Sequence, residues 1–248
     1  MQNDDQLYCD PALVGFYDIE NGWADDTAFC LRLGSEVQSI LDLGCGTGLL
    51  AAALAAGGHS VTGVDPACAM LDVARQREGG DAATFVAADA RMLRLESRYD
   101  LVVLTGHAYQ VFLSDEDQLA VLRTIAYHLA PGGRFIFDSR NPAAREWLEW
   151  QPENSLRMIE HPQHGTVKAW NTAAFDEPSG IVTYETHYQQ ASGGERWSAT
   201  SRIRFTEKGR LEALLGEAGL VADQWLGDWK GAAFSPASPE IIPIGRLG

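Results

Sequence analysis

Short apolar runs alternate with stretches of helical period over the first 140 residues. Ser39-Ile40-Leu41 reads as a brief buried strand that runs into a glycine turn, Asp42-Leu43-Gly44-Cys45-Gly46-Thr47-Gly48. From Leu49 the period becomes helical, with Leu50, Ala53 and Leu54 on one face and Gly57-Gly58 as the stop. Val61 to Val64 is the next strand, with Asp65 at its carboxyl end and Pro66 suited to a first helical position. The helix that follows points Met70, Leu71 and Ala74 inward and ends at Gly79-Gly80. Thr84 to Ala88 is a third strand ending in Asp89, and Tyr99 to Leu104 a fourth. Ser114 opens a helix in capping-box style, with Leu119, Leu122, Ala126 and Leu129 as its buried stripe and Pro131-Gly132-Gly133 as its end. Phe135-Ile136-Phe137-Asp138 is the fifth strand. Strands alternating with helices in this way predict an α/β fold built on a parallel sheet.

The period changes after Ser139. A short helix is expected to carry Trp147 and Trp150, and the region from about 155 to 205 reads as antiparallel strands. There Val182, Tyr184 and Tyr188 alternate with Thr183, Glu185, His187 and Gln189, between turns at 176–180 and 191–194. A parallel-sheet core has no need of these hairpins, so residues 151–205 stand as an insert, either a cover over a substrate pocket or a dimerisation surface. A last helix carries Leu211, Leu214, Leu215 and Ala218 up to Gly219, and 220–226 and 240–247 close the chain as strands.

Composition narrows the partners more than the fold. The 248 residues suffice for one large α/β domain with a small insert. With 19 Lys and Arg against 34 Asp and Glu, the net charge of −15 offers no basic footprint for nucleic acid. No apolar run approaches the roughly 20 residues of a membrane span. The polar, acidic Met1-Gln2-Asn3-Asp4-Asp5 does not read as a targeting signal. Cys9, Cys30, Cys45 and Cys68 are scattered, as reduced thiols of a cytoplasmic protein would be, without the spacing of a zinc or disulfide framework.

The chemistry gathers at the strand ends. Glycines at 44, 46 and 48 leave only the side chains of Cys45 and Thr47 in the first turn, where a ligand would be expected to meet bare N–H groups and a helix N-terminus. Asp65, at the carboxyl end of the second strand, suits the vicinal hydroxyls of a ribose, or a helix N-cap, or both. A ribose alone does not separate a nicotinamide cofactor from an adenosyl sulfonium. The third glycine comes one residue earlier than in the dinucleotide fingerprint, and Leu49 stands where that fingerprint has glycine.

The pattern Asp42-x-Gly44-x-Gly46-x-Gly48 instead resembles motif I of the class I S-adenosylmethionine-dependent methyltransferases, and Leu129-Ala130-Pro131-Gly132-Gly133-Arg134 resembles that family's approach to strand five. The resemblance implies a Rossmann-like, doubly wound, seven-stranded, mostly parallel sheet with an antiparallel β insert. It implies a lid over residues 1–37, with Tyr17 and Trp23 nearest the site, and a core of 38–150 and 206–248. It also implies S-adenosyl-L-methionine held by Asp42, Gly44, Cys45, Gly46, Asp65 and Pro66, with Met70 flanking the adenine, Asp89 and Ala90 reading its edge, and Thr105 by the methyl.

The expected reaction is methyl transfer to nitrogen or oxygen of a small molecule, and no Asn-Pro-Pro-Tyr motif follows the fourth strand to suggest a macromolecular acceptor. His107 is the candidate base and Tyr17 a second catalytic candidate, with Tyr109 and Arg140 as acceptor contacts. No metal is expected, because Asp138 is the one obvious carboxylate at the mouth. A homodimer through the insert, a cofactor-binding protein without turnover and an NAD(P)-dependent oxidoreductase remain as alternatives.

Overall fold

The computed structural model describes residues 6–248, so the reading of the first five residues lies outside it. Three helices come first, α1 (Gln6–Cys9), α2 (Pro11–Glu20) and α3 (Asp25–Gly34). Asp10 caps α2 by accepting from the Ala12 N–H, and Pro11 fills a first-turn position where no donor is needed. The alternating region then gives β1 (Ser39–Leu43), α4 (Leu49–Ala56), β2 (Ser60–Asp65), α5 (Cys68–Gln76), β3 (Thr84–Ala87), β4 (Tyr99–Leu104), α6 (Asp115–His128) and β5 (Leu129–Phe137). A two-residue strand β6 (Ser139–Arg140) and a short helix α7 (Pro152–Ser155) lead to β7 (Arg157–His161), β8 (Gly165–Asp176), β9 (Ile181–Gln190) and β10 (Arg196–Arg204). The chain closes with α8 (Lys208–Glu217), β11 (Leu220–Leu226) and β12 (Glu240–Leu247).

The main sheet runs β11-β12-β5-β4-β1-β2-β3, with β6 joined to β12. Strands β1 to β5 are parallel, and β12 lies antiparallel to both β5 and β11. Alternation along the strands explains the two covered faces. Leu41, Leu43, Val102, Leu104, Phe135 and Phe137 pack with α6 and α8, while Ile40, Leu101, Val103 and Ile136 pack with α4 and Cys30 of α3. Strand order reverses between β1 and β4, and a ligand crevice is expected at the carboxyl ends there.

The insert is a second sheet, β10-β9-β8-β7, antiparallel throughout. It takes α2 onto one face: Leu13 and Phe16 cluster with Ile159, Val167, Ala169, Tyr188 and Ala199, and Phe16 stacks on Tyr188 at 4.2 Å. Trp147 and Trp150 belong to a short 3₁₀ turn and its end rather than to an α-helix. Trp147 stacks on Phe175 at 4.3 Å and meets Phe205 edge-on at 4.7 Å, which ties the connection to the insert.

Two element ends differ from the sequence reading. The helix after β2 starts at Cys68, not Pro66, because the Asp65 carboxylate accepts the Ala67 N–H and holds a turn there first. Pro131-Gly132-Gly133 does not end α6. The helix stops at His128, and Leu129 pairs at once with Tyr99. A register shift before Leu101–Arg134 accommodates the Pro-Gly-Gly run, with Gly132 at φ +79°. Among the described residues no helix is long and apolar enough to cross a membrane.

Phe16 joins α2 to the insert while fully buried. Phe16→Ala is therefore expected to cost about 3–5 kcal/mol in urea unfolding followed by circular dichroism. A loss under about 1 kcal/mol would show that α2 does not depend on this contact.

Candidate active site

A single cavity of about 1460 Å³ opens along the carboxyl ends of β1, β2 and β4 and continues under the insert. It exceeds the roughly 300–1,000 Å³ of a one-ligand pocket, so two molecules can lie in it together. Its near wall is the glycine turn, where Gly44, Gly46 and Gly48 all have positive φ, 67°, 51° and 75°. The glycines serve different ends. A Cβ at Gly48 would stand 2.7 Å from the Ala74 Cβ, so this position lets α5 close on the turn. Gly46 lines the cavity, and a Cβ there would project to 3.8 Å from the Tyr17 ring.

The turn's N–H groups are not bare, contrary to expectation. Gly44 and Cys45 both donate to the Val64 carbonyl, at 2.7 and 3.1 Å, and Gly46 donates to Asp65 Oδ2 at 3.0 Å. Asp65 Oδ1 accepts from Ala67 at 2.8 Å. Each Asp65 oxygen therefore has one backbone donor and keeps capacity for another. Burial raises its pKa above the ordinary carboxylate value, opposed by those two N–H donors. Asp42 is 3% exposed, and burial followed by the charge of Asp65 pushes its carboxyl up to about 7.

The other expected cofactor residues come to the same wall. Pro66, Met70, Ala90 and Thr105 all line the cavity, with Met70 packed on Val14 and Ala67. Asp89 is engaged by Arg91, which donates Nη2 at 2.8 Å and its backbone N–H at 2.9 Å and also reaches Asp117 at 2.6 Å. Burial alone would raise the Asp89 carboxyl, but the Arg91 hydrogen bonds outweigh it and hold it below the usual carboxylate value.

Of the expected catalytic and acceptor residues, Tyr17, His107 and Arg140 line the cavity and Tyr109 does not. His107 takes φ +60°, and the 3₁₀ turn it starts points Tyr109 into the core, fully buried and stacked on Phe137 at 4.5 Å. Arg140 donates to Gln110 Oε1 at 3.1 Å, pairs with Glu146 at 3.1 Å and lies over the Trp150 ring. His107 is held from two sides. Its backbone N–H donates to Asp138 Oδ1 at 3.0 Å, and its Nε2 lies 3.0 Å from Glu240 Oε1 and 3.6 Å from Asp138 Oδ2. The donor atoms of these three side chains all lie within 4.8 Å of one another, a spacing that a shared cation could occupy.

The residues present suit an adenosyl sulfonium. Asp65 has acceptor capacity left for a ribose, Asp42 supplies a buried carboxyl beside it, and the cavity fills the space a Cβ at Gly46 would enter. Comparison with known proteins decides the family. Residues 40–133 match the family model of a methyltransferase domain. The chain is 36% identical over 213 residues to a cypemycin N-terminal methyltransferase of Streptomyces, covering 84% of this chain and 82% of that protein. It is 30% identical over 189 residues to a ubiquinone biosynthesis O-methyltransferase of Pseudomonas aeruginosa, covering 68% and 78%. The CcbJ methyltransferase structure from Streptomyces caelestis superposes with TM-score 0.76 at 21% identity, over 93% of this chain and 95% of that one.

The chain belongs to the class I S-adenosylmethionine-dependent methyltransferases.

This methyltransferase uses S-adenosyl-L-methionine as its methyl donor. Sequence reasoning missed three features of its site, all long-range. Glu240 reaches His107 across 133 residues of sequence. Thr47, inside the glycine turn, donates to Asp18 of α2, and Arg77 binds both. Glu20 of α2 takes both Arg157 and the Tyr188 hydroxyl of the insert. The only hint in the chain was the acidic residue that opens the last strand.

The buried Asp42 gives a pH test of this methyltransferase. With its folded value near 7 and an ordinary unfolded value near 4, the folded state keeps a proton that the unfolded chain loses. Stability should therefore fall as pH rises from about 4 to about 7 and stay lower above that. Asp42→Asn should melt higher than the parent at pH 8 in the absence of cofactor, and at the same temperature near pH 4.5. An equal gap at both pH values would contradict the assignment.

Proposed function

We propose that S-adenosylmethionine lies across the Gly44–Gly46 turn, with its ribose on Asp65 and its adenine between Met70 and the Asp89–Ala90 corner. Asp42 and Cys45 then border its methionine end and Thr105 its methyl. The observation that carries this reading is the continuity of the cavity. One space runs from Asp89 and Ala90 past Gly46 to Asn171, Tyr184 and Thr186 on the insert. We assign residues 151–205 the role of acceptor cover, and the segment before residue 38 that of a lid pinned by Asp18 and Glu20.

The acceptor end is polar and mostly neutral. The Asn171 side-chain oxygen is buried without a hydrogen-bond partner among the described residues, and it faces the same sheet side as Tyr184 and Thr186. A polar molecule bearing a hydrogen-bond donor beside its nucleophile fits there, and the net charge of −15 speaks against nucleic acid. The cypemycin relative supports a nitrogen nucleophile. Four scattered cysteines, without disulfide or zinc spacing, suit work in the cytoplasm.

When bound, S-adenosylmethionine supplies a methyl on a sulfonium, and the C–S electron pair goes to sulfur as the new bond forms. The protein's part is to hold the nucleophile in line and keep water out. Tyr17 closes the turn side: its ring stands over Gly46, and burial and then the charge of Asp65 keep its hydroxyl protonated. His107, its ring fixed by Glu240, stands where the acceptor's proton leaves.

Calorimetry tests the cofactor half of this reading. S-adenosylhomocysteine should bind one per chain, Asp65→Ala should weaken it roughly 10- to 100-fold, the worth of hydrogen bonds to a charged group, and NADH should not bind. Unchanged affinity in Asp65→Ala would remove the ribose from this carboxylate. For transfer, incubation with methyl-labelled cofactor and a metabolite extract should label a small molecule, and no label in any fraction would contradict turnover.

A further inference from the structure

His107, Asp138 and Glu240 come from three separate elements: the loop after β4, the end of β5 and the start of β12. Asp138 is fully buried, and its Oδ2 has no hydrogen-bond partner among the described residues; Glu240 Oε2 is buried and unpartnered as well. Two carboxylates thus converge on one imidazole with no Lys or Arg beside them, since Arg140 is committed to Gln110 and Glu146. Buried carboxylates are ordinarily paired or bound to a metal. The hydrogen bonds within the cluster, His107 Nε2 with Glu240 Oε1 and the His107 backbone N–H to Asp138 Oδ1, leave both orphan oxygens unsatisfied.

Spacing identifies the missing partner. Metal–ligand bonds of about 2.0–2.2 Å in a tetrahedral site put neighbouring donor atoms roughly 3.3–3.6 Å apart. The separation of His107 Nε2 from Asp138 Oδ2, 3.6 Å, has this spacing, and that from Glu240 Oε1, 3.0 Å, is a direct hydrogen bond that an ion would open by a few tenths of an ångström. An ammonium group hydrogen-bonded at about 2.8 Å would need acceptors roughly 4.6 Å apart, wider than either separation from His107 Nε2. The left-handed backbone at His107, held by Asp138 Oδ1, is the kind of strain that a folded chain keeps where a side chain must be aimed.

We propose that His107 Nε2, Asp138 Oδ2 and Glu240 bind a divalent transition-metal ion such as Zn²⁺ or Mn²⁺. One imidazole and two carboxylates suit such ions better than Mg²⁺. His107 and Glu240 line the cavity and Asp138 does not, so the remaining coordination position opens toward the acceptor. An ion there would take an acceptor hydroxyl oxygen as a ligand and lower its pKa, the proton passing to solvent rather than to the ring; this role, though not the binding, rests on the methyltransferase reading above.

The full chain, freed of metal with a chelator, is titrated with Zn²⁺ by calorimetry and with Mn²⁺ by electron paramagnetic resonance. One ion per chain is expected. His107→Asn and Glu240→Gln should each weaken it by more than the roughly 10- to 100-fold that loss of an outer-shell partner costs, with melting curves showing that the variants fold. Anomalous diffraction at the zinc edge should place a peak within bonding distance of His107 Nε2, which covers the case of a variant that does not fold. Weak, non-stoichiometric binding that persists in both variants, as the chain's 34 acidic residues would give, overturns the proposal, as does a peak elsewhere. S-adenosylhomocysteine binding in the same samples keeps the two readings apart: its absence strikes the cofactor reading, and its presence without an ion strikes this one.

Discussion

The site is organised by one carboxylate. Asp65 stands at the end of β2 and accepts the N–H of Gly46 through one oxygen and that of Ala67 through the other. The first bond ties the glycine turn to the neighbouring strand, and the second delays the start of α5 until Cys68. Both strand ends are thereby fixed relative to each other before any ligand arrives. The Val64 carbonyl, which accepts from the N–H groups of both Gly44 and Cys45, reinforces the same junction. A carboxylate so held is preorganised: its remaining lone pairs point into the cavity without a rotamer to freeze.

From this junction the order spreads outward through side chains that are close only in space. The Asp18–Thr47–Arg77 group fastens α2 to the back of the turn, and the Glu20–Arg157–Tyr188 group fastens the same helix to the insert. One ten-residue helix therefore couples the glycine turn to the insert. The two sheets share no strand, and they also meet through the Trp147 contacts and through Arg204 of β10, which pairs with Asp115.

The parallel core was legible because its signals are local. A buried strand, a glycine turn and an amphipathic helix each declare themselves within a dozen residues, and Asp65 and Asp89 follow at the strand ends. The insert's antiparallel strands were legible for the same reason, through the alternation from Val182 to Tyr188. What could not be read was pairing over long separations. His107 looked solitary because Glu240 is on the last strand, and Asp138 looked like a lone acid. Its position after the fourth strand puts Tyr109 at the mouth in sequence, but not in space. The positive φ at His107, unusual for a residue with a side chain, sets the 3₁₀ turn that points Tyr109 inward. The turn's N–H groups were expected to await a ligand, but neighbouring oxygens already use them.

The proposed role of Asp65 is to hold the ribose of an adenosyl ligand while the turn it braces supports the rest. A crystal structure of the chain with S-adenosylhomocysteine is the decisive test. Both ribose hydroxyls should lie within hydrogen-bond distance of the Asp65 oxygens, with the Gly46 and Ala67 bonds kept and the sulfur facing Thr105. A ligand bound with its ribose away from Asp65, or Asp65 turned out of an unfilled crevice, would contradict it.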